Sequence, residues 1–424
     1  MTDLVTADYY TDQTVAQDPF AYFDSLREQN PVFREPHYGV VVVTGHEEVI
    51  EAFRNSDSLS AVNAIGGPFP PMPFEPEGDD ITDQIKAHRH LFPIAEHMVV
   101  MDPPDHTLAR SLLGRLLTPK RLKENEDYIW KLADTQIDEF IANGSCEFLS
   151  EYAKPFATLA ITDLLGVPET ERAEFRAILA AEGTHTVGAL DKTPVGVNPL
   201  EYLEDKFMAY LGERRRDPRN DILSGLATAT YPDGSTPDLI EVVRPATFLF
   251  GAGQETVTKL LSSALRMLGD RPEYEKMLRD DRSLIRPFME ESLRFDSPTK
   301  VDHRLASKTT TIGGVEIKAG TIVMLSLAGA NRDPRKFENP NEFRLDREYL
   351  HDHVAFGRGL HTCAGAPLAR VEGRVTLNRI LDRMQDLKIS EAAHGPVENR
   401  RYEYEPTFLL RGLKELHVEF TPAD

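Results

Sequence analysis

Two cysteines occur in the chain, and one of them, Cys363, ends a run unlike any other in it: Phe356-Gly357-Arg358-Gly359-Leu360-His361-Thr362-Cys363-Ala364-Gly365. A glycine-rich loop there delivers a thiol just ahead of a helical pattern from Ala366 to Met384. At a helix N-terminus a sulfur faces the positive end of the peptide dipole and unpaired N–H donors, which lower its pKa and favour the thiolate. Gly359 and Gly365 remove bulk, as if something flat and wide must approach the backbone, and Phe356 is placed to shield one side of the sulfur. Four chemistries are open to such a cysteine. It can be a small buried hydrophobe, or a zinc ligand with His351, His353 and His361 nearby. It can be a nucleophile with His361 as its base, or an axial thiolate to haem iron. The last explains the glycines and the isolated cysteine together.

Other residue types are spaced for chemistry as well. Glu291 and Arg294 lie three apart, on one face of a helix, where carboxylate and guanidinium can pair. Leu249, Ala252, Gly253, Thr256 and Leu260 share a helix face, and its small residues let a ligand approach the backbone. Thr256 can also simply bond back to the carbonyl of Ala252. His106 and Arg110 stand at i, i+4 in Met101-Asp102-Pro103-Pro104-Asp105-His106-Thr107-Leu108-Ala109-Arg110.

The elements that must position these groups are mostly helical. Apolar spacing predicts a helix over Lys120–Phe140 and a longer one from about Asp238 to Leu268, with Pro245 early in it and a distortion at Gly251 and Gly253. Strand-like pieces are few: Tyr38–Thr44, Thr309–Ile317 around Gly313-Gly314, Thr321–Leu327 and Leu416–Phe420. Ile65–Asp80 carries so many prolines and glycines that it reads as a loop. The expectation is a mainly α protein with a small antiparallel β component, a single domain over residues 1–424.

Composition narrows the function. With 48 basic against 69 acidic residues the net charge is −21, which opposes binding to nucleic acid. At 41% hydrophobic and 28% charged, the chain reads as an ordinary globular protein. No apolar run approaches the roughly 20 residues a membrane span needs, so no membrane insertion is expected. The first residues show no secretory pattern, and a cytoplasmic protein with reduced thiols is the expectation. Two cysteines are too few for a disulfide scaffold or a four-thiolate cluster.

The Phe356–Gly365 pattern resembles the haem-binding signature of the cytochrome P450 family, the haem-thiolate monooxygenases. Further segments follow in the order that family shows, from Asp18-Pro19-Phe20 through Asn331-Arg332-Asp333-Pro334 to the last strand. The resemblance implies haem b as cofactor, with Cys363 as metal ligand and Phe356, Gly357, Gly365 and Ala252 around it. His106, Arg110, Arg304 and His361 would hold its propionates. Ala252-Gly253-Gln254-Glu255-Thr256 would be the oxygen-activation motif, in which Glu255 and Thr256 relay protons to dioxygen. Glu291, Arg294 and Arg347 would form a structural ion-pair network. By position only, Phe248, Gly251, Ala252, Lys300, Val301, Phe408 and Leu409 would line the substrate pocket, with Lys300 available to a substrate carboxylate.

The implied reaction inserts one oxygen atom from O2 into a C–H bond of a small apolar substrate, whether terpenoid, steroid, fatty acyl or aromatic. No Gly-x-Gly-x-x-Gly fingerprint or flavin domain is evident, so electrons are expected from a separate ferredoxin and ferredoxin reductase. Arg115, Lys120, Arg121, Lys123, Arg358, Arg370 and Arg374 would form a positive patch steering an acidic ferredoxin. A peroxygenase on the same scaffold and a haem-based binding protein are the alternatives.

Overall fold

A computed structural model describes residues 4–114, 116–173 and 199–423. Its longest element is the central helix, Leu239–Asp270. The Glu241 carboxylate caps its start by accepting from the Asp238 N–H at 2.7 Å. The helix is continuous through Pro245, Gly251 and Gly253. Tertiary burial explains this, because the flanks Val242–Phe250 and Val257–Leu268 are mostly packed in one core. Gly253 also lets the Lys154–Leu165 helix come close: a Cβ there would stand 3.8 Å from Ile161.

Around the central helix pack Asp105–Leu113, Lys154–Leu165, Pro199–Arg216, Ile285–Phe295 and Ala366–Arg383, the last of which follows Cys363. The helix expected over Lys120–Phe140 spans Pro119–Asp138. Thr118 caps it by accepting the Arg121 N–H at 3.2 Å, and Pro119 occupies the first position, where its missing N–H does no harm.

Among the described residues ten short strands complete the body: β1 (Val32–Arg34), β2 (Val41–Val43), β3 (Leu59–Ser60), β4 (Ser145–Glu147), β5 (Val301–Ala306), β6 (Thr310–Ile312), β7 (Val315–Ile317), β8 (Ile322–Ser326), β9 (Met384–Ile389) and β10 (His417–Pro422). One sheet has the order β1-β2-β8-β5-β3, antiparallel except where β2 meets β8. A second has the order β4-β10-β9. β6 and β7 form a hairpin whose turn places Gly313 and Gly314 at φ +53° and +80°, the left-handed values a tight reversal asks for.

The Pro-rich stretch over Ile65–Asp80 is irregular but packed. The Phe69 ring meets Tyr38 edge-on at 5.2 Å, and Phe74 stacks on His88 at 4.9 Å. The Asp79 carbonyl accepts from the Thr309 N–H at 2.8 Å, which ties the far end to the rest of the chain.

Candidate functional site

A chain of buried hydrogen bonds sets the cysteine loop. Glu291 and Arg294, both wholly buried, face each other through two contacts of 2.7 Å. Arg347 reaches the same carboxylate at 3.0 Å. Arg294 also donates to the carbonyl of Asn331 at 2.9 Å, and the Asn331 side chain accepts from the Val354 N–H at 2.7 Å. Val354 in turn receives the Gly357 N–H at 2.8 Å, and the Phe356 carbonyl receives the Cys363 N–H at 2.9 Å. One ion pair thus fixes the entry to the loop, and the loop fixes the sulfur.

A second buried carboxylate, missed in the sequence reading, holds the loop from the other side. Glu290 accepts from His353 Nε2 at 2.9 Å and from Arg370 Nε at 2.6 Å. His353 Nδ1 accepts the Ala355 N–H at 3.2 Å, so the ring is a neutral tautomer donating through Nε2. The Arg370 guanidinium covers the Phe356 ring at 4.7 Å. His353 is therefore committed, and among the described residues no three His, Cys, Asp or Glu side chains converge as a metal-ion site. The zinc reading is set aside on that geometry.

The Cys363 side chain is accessible yet surrounded by protein. Burial pushes its thiol above the ordinary value, although the Gly365 and Ala366 N–H groups and the Arg110 and Arg370 guanidinium groups pull it down. This corrects the expected depression: without a metal to displace the proton, desolvation outweighs the helix terminus. The two glycines also separate. Gly359, at φ +70°, is required by the protein itself, since a Cβ would lie 2.5 Å from the Phe53 carbonyl oxygen. At Gly365 the nearest atoms to such a Cβ are Cys363 Sγ at 3.9 Å and Leu249 Cδ1 at 4.0 Å, so that position leaves open space beside the sulfur.

Next to the sulfur the chain gathers basic groups. The rings of His106 and His361 are 4.1 Å apart. His106 is buried, and neither of its nitrogens finds a partner among the described residues. Burial holds it down to about 4, helped by the Arg110 and Arg304 charges. His361 is held at about 2 by burial and then by Arg304, His106 and Arg110. Arg110 donates to the Thr362 carbonyl at 2.7 Å, and Arg304 meets Asp302 at 2.9 Å. Two guanidinium groups and two imidazoles set against one carboxylate can hold an anion of two charges. The orphaned His106 ring is the clearest sign of a missing acceptor or donor.

The central helix presents its open stripe to this region. Phe248 and Gly251 are half-buried and Ala252 is exposed, in a helix otherwise packed on both flanks. Thr256 Oγ1 donates to the Ala252 carbonyl at 2.8 Å. Glu255 reaches the buried Lys259 Nζ at 3.1 Å. His97 packs 5.9 Å from the Phe248 ring.

Other expected lining residues lie elsewhere. Lys300 is wholly buried, and its Nζ donates to the carbonyls of Ala16 and Thr407, so it is not available to a substrate acid. Val301, Phe408 and Leu409 are core residues packed with Tyr9 and Tyr10. Their apolar type suited either role, and packing decides it. The basic patch is mostly neutralised. Lys120 faces Glu124, Arg121 faces Asp163, Lys123 faces Asp127, Arg370 faces Glu290 and Arg374 faces Glu126. Arg358 has no carboxylate partner among the described residues, and Arg115 lies outside them.

The cytochrome P450 family model matches residues 200–399. The substrate-free structure of Mycobacterium marinum cytochrome P450 CYP150A6 superposes with a TM-score of 0.94 at 60% identity, covering 99% of this chain and 100% of that one. The vitamin D(3) 25-hydroxylase of Pseudonocardia autotrophica is 35% identical over 77% of this chain and 78% of its own. The steroid C26-monooxygenase of Mycolicibacterium smegmatis is 30% identical over 99% and 96%. The chain belongs to the cytochrome P450 family and is a P450 monooxygenase, of a family that works with haem and redox partners. Among the described residues no helix is long and apolar enough to cross a membrane.

Proposed function

We propose that the chain, acting as one domain, binds haem b through Cys363 and inserts one oxygen atom from O2 into a C–H bond of a small apolar molecule. The observation that carries this is the cluster of His106, Arg110, Arg304 and His361, short of anions, beside an accessible cysteine and beneath the open stripe of the central helix. When bound, haem supplies activation of dioxygen and the hydrogen-abstracting oxidant. The four basic side chains neutralise its propionates. Cys363 would hold the iron as a thiolate, whose charge the Gly365 and Ala366 N–H groups would stabilise. Gly365 and Ala252 leave room for the macrocycle. Phe356 and Arg370 cover the loop on which the sulfur sits.

Glu255 and Thr256 handle protons. The Thr256 hydroxyl, which donates to the Ala252 carbonyl, would be the proton donor on the open stripe and the Glu255 carboxyl would resupply it. Phe248 and Gly251 line the substrate side. Electrons come from a separate ferredoxin and its reductase, and the protein works in the cytoplasm. Two relatives are named for acting on vitamin D3 and on a steroid, which supports a steroid-like substrate within the apolar class.

The test is spectroscopic. Reduced, carbon-monoxide-treated holoprotein is expected to show the red-shifted Soret band of sulfur ligation, and C363H is expected to lose it. A panel of steroids and fatty acids should then displace the ferric spin state. Holoprotein lacking the shifted band would overturn the assignment of Cys363.

A further inference from the structure

Lys259 carries more than its share of charge for a core residue. Its side chain is only 4% exposed, on the stretch of the central helix where the open stripe ends. Its Nζ serves two carboxylates: Glu255 at 3.1 Å, one turn earlier on the same helix, and Glu405, more closely, on the C-terminal loop. The chain makes room for this reach at Gly412. A Cβ there would stand 2.4 Å from Lys259 Cγ and 3.1 Å from its Nζ. Gly412 is tied to Glu405 by a backbone bond, the Glu405 N–H donating to the Gly412 carbonyl at 3.0 Å. The lysine stem is thus clamped against the backbone that presents its second partner.

The surrounding charges are already committed. Arg411 donates to Asp296 at 2.6 Å, Arg266 meets the same carboxylate at 3.1 Å, and Lys300 is held by backbone carbonyls. Lys300 feels the charges of Lys259, Glu405, Arg411 and Asp296, and the one acid among the last two, Asp296, is held by Arg266 and Arg411. Two acids therefore share one ammonium. Glu405 is a quarter exposed and Glu255 slightly more, so the shared ammonium lies between two partly exposed carboxylates, the second of them beside the open stripe.

We propose that Lys259 is a positioning residue for Glu255, and that Glu405 is its counterweight. Lys259 holds the Glu255 carboxylate along the helix beside Thr256. When Glu255 takes up a proton from solvent water and lets go, Lys259 keeps a full ion pair with Glu405, so no uncompensated charge is left in the core. Glu255 then passes the proton it gained to the Thr256 hydroxyl as that hydroxyl releases its own proton toward the open stripe, and the carboxylate returns to Lys259. This rests on the reading of Glu255 as the proton donor.

The experiment compares holoenzyme forms of the wild type, E255Q, K259M, K259R and E405Q by two readouts. One is infrared difference titration of the ferric protein, with the Glu255 carboxyl band assigned by its loss in E255Q. The other is the pH profile of hydrogen peroxide released per O2 consumed, driven by a surrogate ferredoxin and its reductase. K259M is expected to shift the Glu255 band and raise the peroxide ratio about threefold or more, a small part of what a positioned acid contributes. K259R should restore both. E405Q, altering a partly exposed residue, should move the pH midpoints of band and profile in the same direction. If E255Q changes the peroxide ratio while K259M and E405Q change neither readout, Lys259 has no such role and the reading of Glu255 stands. If E255Q leaves the ratio unchanged, the reading of Glu255 fails and the inference falls with it. Should K259M not fold, E405Q decides alone.

Discussion

At the scale of single residues, burial favours the neutral forms of His106 and Glu372. His106 is neutral in the fold, with a value near 4 against about 6.5 unfolded. A depressed imidazole contributes stability that is full above pH 6.5 and lost as pH falls toward 4. The haem-free protein is therefore expected to lose on the order of 2 to 3 kcal/mol across that window. H106N should flatten the loss in chemical denaturation series at stepped pH, and haem loading should diminish it. Glu372 is the opposite case. It is buried with Oε2 unpartnered among the described residues, and burial alone pushes its carboxyl well up. Stability from a raised carboxyl is present at low pH and lost as pH rises past its unfolded value. E372Q should therefore raise Tm at neutral pH and match the wild type near pH 4. The two loop glycines give a third comparison. G359A forces a Cβ into the Phe53 carbonyl at a left-handed φ and should cost about 2 kcal/mol or more. G365A meets only ordinary contacts, so its Tm without haem should equal the wild type while its haem occupancy falls.

At the scale of elements, the decisive link is the one between the helix Ile285–Phe295 and the cysteine loop. Glu291 and Arg294 are fully buried, so removing one partner leaves a naked charge, at about 3–5 kcal/mol. E291Q and R294L are each expected to express without bound haem, which the absorbance ratio of Soret to protein bands will report. This element was legible because both partners lie one turn apart in sequence. The cysteine loop and the central helix were legible for the same reason, as local patterns. β5 and β9 were not. β5 carries His303 and Arg304 in buried positions, which hides its apolar rhythm, and β9 interleaves Gln385, Asp386 and Lys388 with its buried residues. Glu290 with His353, and Lys259 with Glu405, escaped because nothing in a linear reading joins residues so far apart. Lys300 misled for a related reason: its position suggested a pocket, but only the folded chain shows two carbonyls waiting for it.

For the molecule as a whole, the charge balance of −21 is distributed so that exposed lysines and arginines near the cysteine loop sit beside carboxylates. Long-range attraction of the acidic ferredoxin proposed above is then weak, since paired charges cancel beyond a Debye length. Ferredoxin-supported turnover should fall less than about threefold from low to physiological ionic strength, and R358E should weaken it more than K120E. A steep salt dependence would show that other cations do the steering.

The N-terminal residues bear on this wholeness too. Ala16 and Gln17 offer their carbonyls to Lys300 and Arg411, deep beneath the sheet. Residues 16 and 17 thus act as a keystone. A protease that nicked the chain ahead of Asp18 would take one acceptor from each, leaving Lys300 with the Thr407 carbonyl and Arg411 with Asp296, so a lowered Tm of the nicked protein is the expected consequence.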